Sequence, residues 1–181
     1  INQIDLRKLL IYYQVFKKDG ISKKINGKLN ILIKNSDSLF GKMKDIKAKL
    51  EFENGDIRVT NAQVILPAKS KFKSNLLILM NSSKPKIQFN TSFNSDNTPH
   101  FLRKFGIYDF STKKTSLYVD GVIDLEKKKI KFKKIIKNNN ERIGKEEVSS
   151  LEESFNQNVL KEGALGLLDY FKFKKFIKES F

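Results

Sequence analysis

Stretches in which apolar and polar residues strictly alternate recur along this chain, and the polar partner is usually lysine. The clearest is Ile46-Lys47-Ala48-Lys49-Leu50-Glu51-Phe52-Glu53, followed by Asn54-Gly55 and Asp56-Ile57-Arg58-Val59-Thr60. Side chains along a strand point to opposite faces with period two. Ile46, Ala48, Leu50 and Phe52 therefore share one face, and Lys47, Lys49, Glu51 and Glu53 the other. Asn-Gly is the strongest short hairpin signal, because a type I′ turn needs positive φ at both central positions. A two-residue loop there pairs Glu53 with Asp56, Phe52 with Ile57, Glu51 with Arg58 and Leu50 with Val59. That register sets apolar against apolar and acid against base.

The same period predicts further strands. Lys28–Lys34 alternates, with Leu29, Ile31 and Ile33 on one face, and Asn35-Ser36-Asp37-Ser38 reads as the turn after it. The hairpin spans 46–66 and Pro67 closes it, since proline cannot continue a central ladder. Lys71–Met80 sets Phe72, Ser74, Leu76, Ile78 and Met80 against a face that also becomes apolar at Leu77 and Leu79, as in a strand covered on both sides. Lys86–Phe93 presents Ile87, Phe89, Thr91 and Phe93 together. Thr115–Leu125 and Lys129–Ile136 form a second hairpin, with Leu117, Val119, Gly121, Ile123 and Leu125 answered by Ile130, Phe132 and Ile136.

Helical spacing appears at the two ends. Leu6, Leu9, Leu10, Tyr13 and Phe16 recur as on one helix face, although the β-branched and aromatic content of 4–16 also allows a strand. Thr98-Pro99 starts a short helix through Phe101, Leu102 and Phe105, with Thr98 as N-cap and Gly106 at its end. Ser150-Leu151-Glu152-Glu153 fits a capping box that opens a helical tail. The reading is thus mainly β with flanking helices: a twisted or curled antiparallel sheet of about seven strands, an N-terminal helix and a C-terminal helical tail. Its parts are an N-terminal helix in 1–24, the sheet in 25–136, a polar linker in 137–149 and the tail in 150–181.

The formal net charge is +16 over 181 residues. Such charge invites a nucleic-acid partner. However, Arg7, Arg58, Arg103 and Arg142 are the only arginines, and abundant Lys, Asn and Ile are what AT-rich codons produce. The lysines are spread along outward strand faces, where they also discourage edge-to-edge aggregation. From Lys137 to Phe181 acids and bases balance, so the whole excess sits in the strand region. A nucleic-acid partner is therefore disfavoured, and a basic module for nucleic acid or another polyanion is kept as the alternative.

Little points to catalysis. The one histidine, His100, has no sequence-placed partner for acid–base work or metal binding. Asp109, Asp120 and Asp124 are spaced like turn and strand-end residues, and there is no Cys for a thiolate site. Neither P-loop, nucleophile elbow nor zincin helix is present. The expectation is a non-enzyme with no catalytic residue, metal or cofactor. No apolar run of about 18 residues could span a bilayer as a helix. The chain opens at Ile1 and not Met, as expected of a fragment or processed product. The tail end, from Leu167 to Lys178, reads in two ways: a helix docked on the sheet, the favoured one, or a basic amphipathic helix at a membrane surface. In the second, Phe171, Phe173, Phe176 and Ile177 insert while Lys172, Lys174, Lys175 and Lys178 meet anionic headgroups.

The stretch Gly41–Val59, with its alternating strand and Phe52-Glu53-Asn54-Gly55 turn, resembles the repeating strands in the C-terminal region of AsmA-like proteins, and Tyr118–Leu125 repeats the theme. The resemblance covers about 25–136 and rests on alternation and turn chemistry. The chain departs from many relatives in being rich in Lys and poor in Gly and Ala. The resemblance implies a periplasmic protein tethered to the inner membrane by an upstream segment. It also implies a curled sheet with an apolar inner groove, with a role in lipid transport or outer-membrane assembly. Its partners would be a phospholipid or other acyl-chain lipid, the membrane surface, and the upstream part of the same chain. The groove would be lined by Leu29, Ile31 and Ile33 of the first strand and by Ile46, Leu50, Phe52, Ile57 and Val59 of the first hairpin. Ile87, Phe89 and Phe93 follow, and then Leu117, Val119, Ile123, Ile130 and Phe132. The same face could equally be a core covered by helices at 4–16 and 150–178.

Overall fold

Eight antiparallel strands follow one another in sequence order across a single sheet, so each strand bonds only to its neighbours in the chain. The computed structural model describes residues 25–38, 41–103, 105–108, 110–138, 141–163, 166–167 and 169–180. The expected helix at 4–16 lies outside the described residues. The strands are β1 (Gly27–Ser38), β2 (Gly41–Glu53), β3 (Asp56–Ile65), β4 (Lys71–Leu79), β5 (Lys86–Ser95), β6 (Thr115–Asp124), β7 (Lys129–Lys137) and the short β8 (Glu141–Arg142). A 3-10 turn at Pro67–Lys69 separates β3 from β4. The helices are α1 (Thr98–Arg103), α2 (Lys145–Phe155, continued by a π turn at Asn156–Leu160) and α3 (Tyr170–Ser180).

The first hairpin has the register that its sequence predicts. Glu53 faces Asp56, Phe52 faces Ile57, Glu51 faces Arg58 and Leu50 faces Val59. Asn54 (φ 51°) and Gly55 (φ 84°) supply the two positive φ values. This register propagates. One line of directly paired residues runs Phe52, Ile57, Ile78, Ile87, Ile123, Ile130 across six strands. The adjacent line runs Leu29, Leu50, Val59, Leu76, Phe89, Gly121, Phe132 across seven. Gly121 is small for a reason: a Cβ there would lie 2.7 Å from Phe89 Cζ and 2.8 Å from the Lys131 carbonyl oxygen. The Phe89 ring occupies the space that a larger residue would need.

Several boundaries differ from the sequence reading. Residues 35–38 continue β1 and do not turn. Left-handed Asp45 (φ 49°) and Asn61 (φ 53°) sit where β2 and β3 shift register, each adding a residue that simple alternation does not anticipate. A further shift on β7 skips Lys133, so Ile135, and not Ile136, pairs with Val119 and is buried. Residues 137–149 are no linker: they hold the end of β7, β8 and the first turn of α2. That helix starts at Lys145 after Gly144, with Glu146 and Glu147 in its first turn, where acids suit the helix dipole. Ser150 is consequently internal to the helix and no box forms there. In α1 the cap is Asn97, whose Oδ1 accepts the His100 N–H at 3.2 Å. Thr98 is buried and bonds Thr115 through its hydroxyl.

Two hydrophobic clusters form on the apolar face. The first joins Ile123 and Ile130 of the sheet to Phe155, Val159 and Leu160, with Phe132, Phe173 and Phe176 packed around them. The second joins Phe101, Leu102 and Phe105 to Phe93, Leu66, Tyr170 and Ile177.

Candidate functional site

The candidate site is this apolar face. All sixteen residues expected to line a groove fall on strands β1–β3 and β5–β7. The pairing register places them on one face of the sheet. Phe72, Leu76 and Ile78 of β4 join them through their pairing with Val64, Val59 and Ile57. They complete the face, and their alternation is plain in the sequence.

The face has two halves. Over β5–β7 it is a core: Ile123 and Ile130 are buried in one cluster with Phe155, Val159 and Leu160, and Ile87, Phe89 and Phe132 pack against that cluster. Phe155 meets Phe176 edge-on with centroids 5.0 Å apart, and Phe173 at 5.9 Å. Over β1–β4 the picture changes. Among the described residues, neither hydrophobic cluster draws on these strands. Leu50, Phe52, Ile57, Val59, Leu76 and Ile78 are all half-buried, while Leu29 is 49% exposed. Ile25 and Met80, in phase with the same face beside the first hairpin, are also exposed. At the other end of β1 and β2, Ile33 and Met43 are buried.

The two flanks of the sheet differ as well. β1 ends the strand order. On the other side β8 covers only Ile136 and Lys137 of β7. Beyond it, α2 lays two side chains on the bare backbone. Glu152 Oε1 accepts the Phe132 N–H at 2.7 Å, and Asn156 Oδ1 accepts the Ile130 N–H at 2.8 Å. Glu152 Oε2 also takes Lys131 Nζ at 2.7 Å. A carboxylate that is 7% exposed is thus satisfied by an amide and an ammonium together. These bonds cap an edge that would otherwise offer itself to another strand.

The tail is docked. Tyr170, Phe173, Phe176 and Ile177 face the two clusters, so Phe176 belongs to the packed face of α3, while Phe171 is 73% exposed. Lys172 pairs with Glu162 and Lys175 with Glu179. Of the aromatics named for membrane insertion, only Phe171 projects outward; Lys178 is exposed, while Lys174 is half-buried with its ammonium beside Gly106.

Polar chemistry is sparse on this face. His100 is exposed on α1. Asp124 Oδ1 accepts the Glu126 and Lys127 N–H groups, which is the turn role its position suggests. Among the described residues no group of His, Cys, Asp or Glu could hold a metal ion, and no helix is long and apolar enough to cross a membrane. At the outer face of β1 and β2, Lys28 Nζ lies 2.9 Å from Glu51 Oε1. This hydrogen bond, and then the opposite charge, holds the Glu51 carboxyl below its ordinary range and raises Lys28.

Together these features define a β-meander module with a continuous apolar face, half of it closed by its own helices. No protein-family model, curated protein or solved structure matches this chain.

Proposed function

We propose that the protein is a non-enzymatic lipid-binding module of the AsmA-like kind, working in a bacterial envelope. Its apolar face over β1–β4 takes lipid acyl chains, serving their passage between membranes or outer-membrane assembly. In that setting the module is periplasmic and tethered to the inner membrane by a segment outside this chain. The observation that carries the reading is the unequal cover of one continuous apolar face. Leu29, Leu50, Val59 and Leu76 line up across four strands, and among the described residues none of them belongs to the two helix-bearing clusters. Contiguous exposed apolar surface marks a binding site for apolar ligands or partners. Each acyl methylene buried there contributes about 0.8 kcal/mol, so a chain laid across several strands gathers enough to offset its ordering.

Native mass spectrometry of the purified protein tests this. Co-purifying phospholipid or fatty acid is expected, and the double variant Leu50→Asp, Val59→Asp should lose it while keeping its fold. Purification without lipid, together with failure to take up a fluorescent fatty acid, overturns the proposal.

A second reading rests on a separate observation, the contrast between the side-chain-capped edge of β7 and β1 at the end of the order, where among the described strands only β2 pairs with it. On this reading β1 receives a further strand from the upstream part of the same chain. A longer chain whose added residues protect the β1 amides from hydrogen exchange would support it.

A further inference from the structure

On the face opposite the apolar one, the ends of β4, β5 and β6 form a cleft of about 480 Å³ whose chemistry is that of an anion cradle. Lys71 pairs with Asn94, and Asn94 pairs with Ser116, so the three side chains stand in one line on the outer face. The line is tied by its own hydrogen bonds. Ser116 Oγ donates to Asn94 Oδ1 at 2.9 Å, and the Ser116 N–H donates to Asn138 Oδ1 at 2.8 Å. Each of the two amide oxygens thus accepts one hydrogen bond. Among the described residues the N–H2 groups of Asn94 and Asn138 have no partner, and an amide nitrogen can only donate.

The rim adds positive charge. Lys69, Lys71 and Lys114 line the cleft, against the single carboxylate of Asp96. Lys69 is left-handed (φ 56°), as is Ala68 before it (φ 60°), in a turn closed by the Leu66 N–H to the Ser70 carbonyl. The buried Ser70 hydroxyl anchors that turn to Ser95 at 2.8 Å. Lys114 lies 3.7 Å from Asp96, with both side chains about 80% exposed, a loose pair that an incoming anion can compete with. Among the described residues no acid engages Lys69 or Lys71. Amide donors beside ammonium groups match the acceptor oxygens of one phosphate group.

We propose that this cleft binds a phosphate group, held by Lys69, Lys71 and Lys114 and by the Asn94 and Asn138 amides. The inference stands apart from the acyl-chain reading, because the cleft opens on the other side of the sheet. The group can reach it as free phosphate or as the headgroup of an anionic phospholipid.

Titrating the labelled protein with inorganic phosphate separates this from diffuse attraction to a basic surface. Shifts confined to the side-chain amides of Asn94 and Asn138 and the backbone of Thr115 and Ser116 are expected, saturating with a single site. The double variant Lys71→Gln, Lys114→Gln should weaken binding roughly tenfold or more, since it removes two charge-assisted bonds. The charge-matched control Lys47→Gln, Lys49→Gln on β2 should leave it unchanged. Vesicles of phosphatidylcholine with and without phosphatidylglycerol distinguish the sources. If a headgroup is the ligand, flotation with the anionic vesicles falls in the cleft variant and not in the control; if free phosphate is the ligand, both variants float alike. Shifts spread evenly over the lysine-bearing strands, or equal weakening by the two double variants, overturn the proposal.

Discussion

The β5–β7 half of the apolar face and the β1–β4 half are built from the same pattern and end differently. Both alternate Ile, Leu, Val or Phe with polar residues, and both share the same unbroken lines of paired side chains. Yet Ile123 and Ile130 are buried beneath Phe155 and Val159, while Leu29 is half exposed and its neighbours half-buried. The flanks follow suit, with Glu152 and Asn156 closing the backbone of β7 and β1 standing last in the order. Alternation commits a strand to having an apolar side. It does not say what will cover that side, because the cover is supplied by residues far away in sequence.

The largest expected effect lies in the closed half. Phe155→Ala removes a ring that meets Phe132, Phe173 and Phe176, and should cost about 3–5 kcal/mol in chemical denaturation. Leu50→Ala in the open half should cost about 1 kcal/mol, since much of its apolar surface is already in contact with water. Equal losses would break the comparison, and would mean that the open half is covered as firmly as the other.

An intermediate effect is expected at the capped edge. Glu152→Ala strips the acceptor from the Phe132 N–H and the partner from Lys131, at about 1–3 kcal/mol. The sharper readout is local. Hydrogen exchange at Phe132 should accelerate well before global unfolding, while exchange along β1 stays as it was. Unchanged protection at Phe132 would show that α2 shields this edge by bulk alone.

The smallest effect concerns the outer face of the open half. Glu51 titrates below the ordinary glutamate range because of Lys28, so the pair's contribution is complete above that ordinary range and is lost as pH falls through Glu51's own lowered value. Lys28, being raised, keeps its share until pH climbs through its raised value on the alkaline side. Both groups are exposed, and high salt should erase most of the dependence. An NMR titration of Glu51 that shows an ordinary carboxyl and no salt effect would remove this pair from the account.

Much of the fold was written in local pattern. Asn54-Gly55 dictated its turn and, through it, the pairing of Leu50 with Val59. Alternation located seven strands, because one period carries both conformation and facing. What escaped was decided at a distance or by single backbone angles. Asp45 and Asn61 take left-handed geometry that either residue tolerates but neither announces, and the skipped Lys133 exchanged Ile136 for Ile135. Ser150 and Glu152 look like a helix start, but the Glu152 carboxylate goes to Phe132, twenty residues back on β7. The candidate face was legible as a face. Its division into closed and open halves was not, since nothing near Phe89 or Leu50 in sequence mentions Phe176.

The strand order has a kinetic consequence. Because every strand pairs only with its chain neighbours, contacts within the sheet stay local apart from the α1-bearing connection between Ser95 and Thr115, and such wiring favours fast assembly. Assembly can proceed like a zipper, with the tight Asn54-Gly55 and Asp124–Lys129 turns as starting points. Opening then follows the same track from its weaker end. β1, which among the described strands pairs only with β2 and which enters neither helical cluster, should be the first strand to fray and the last to set.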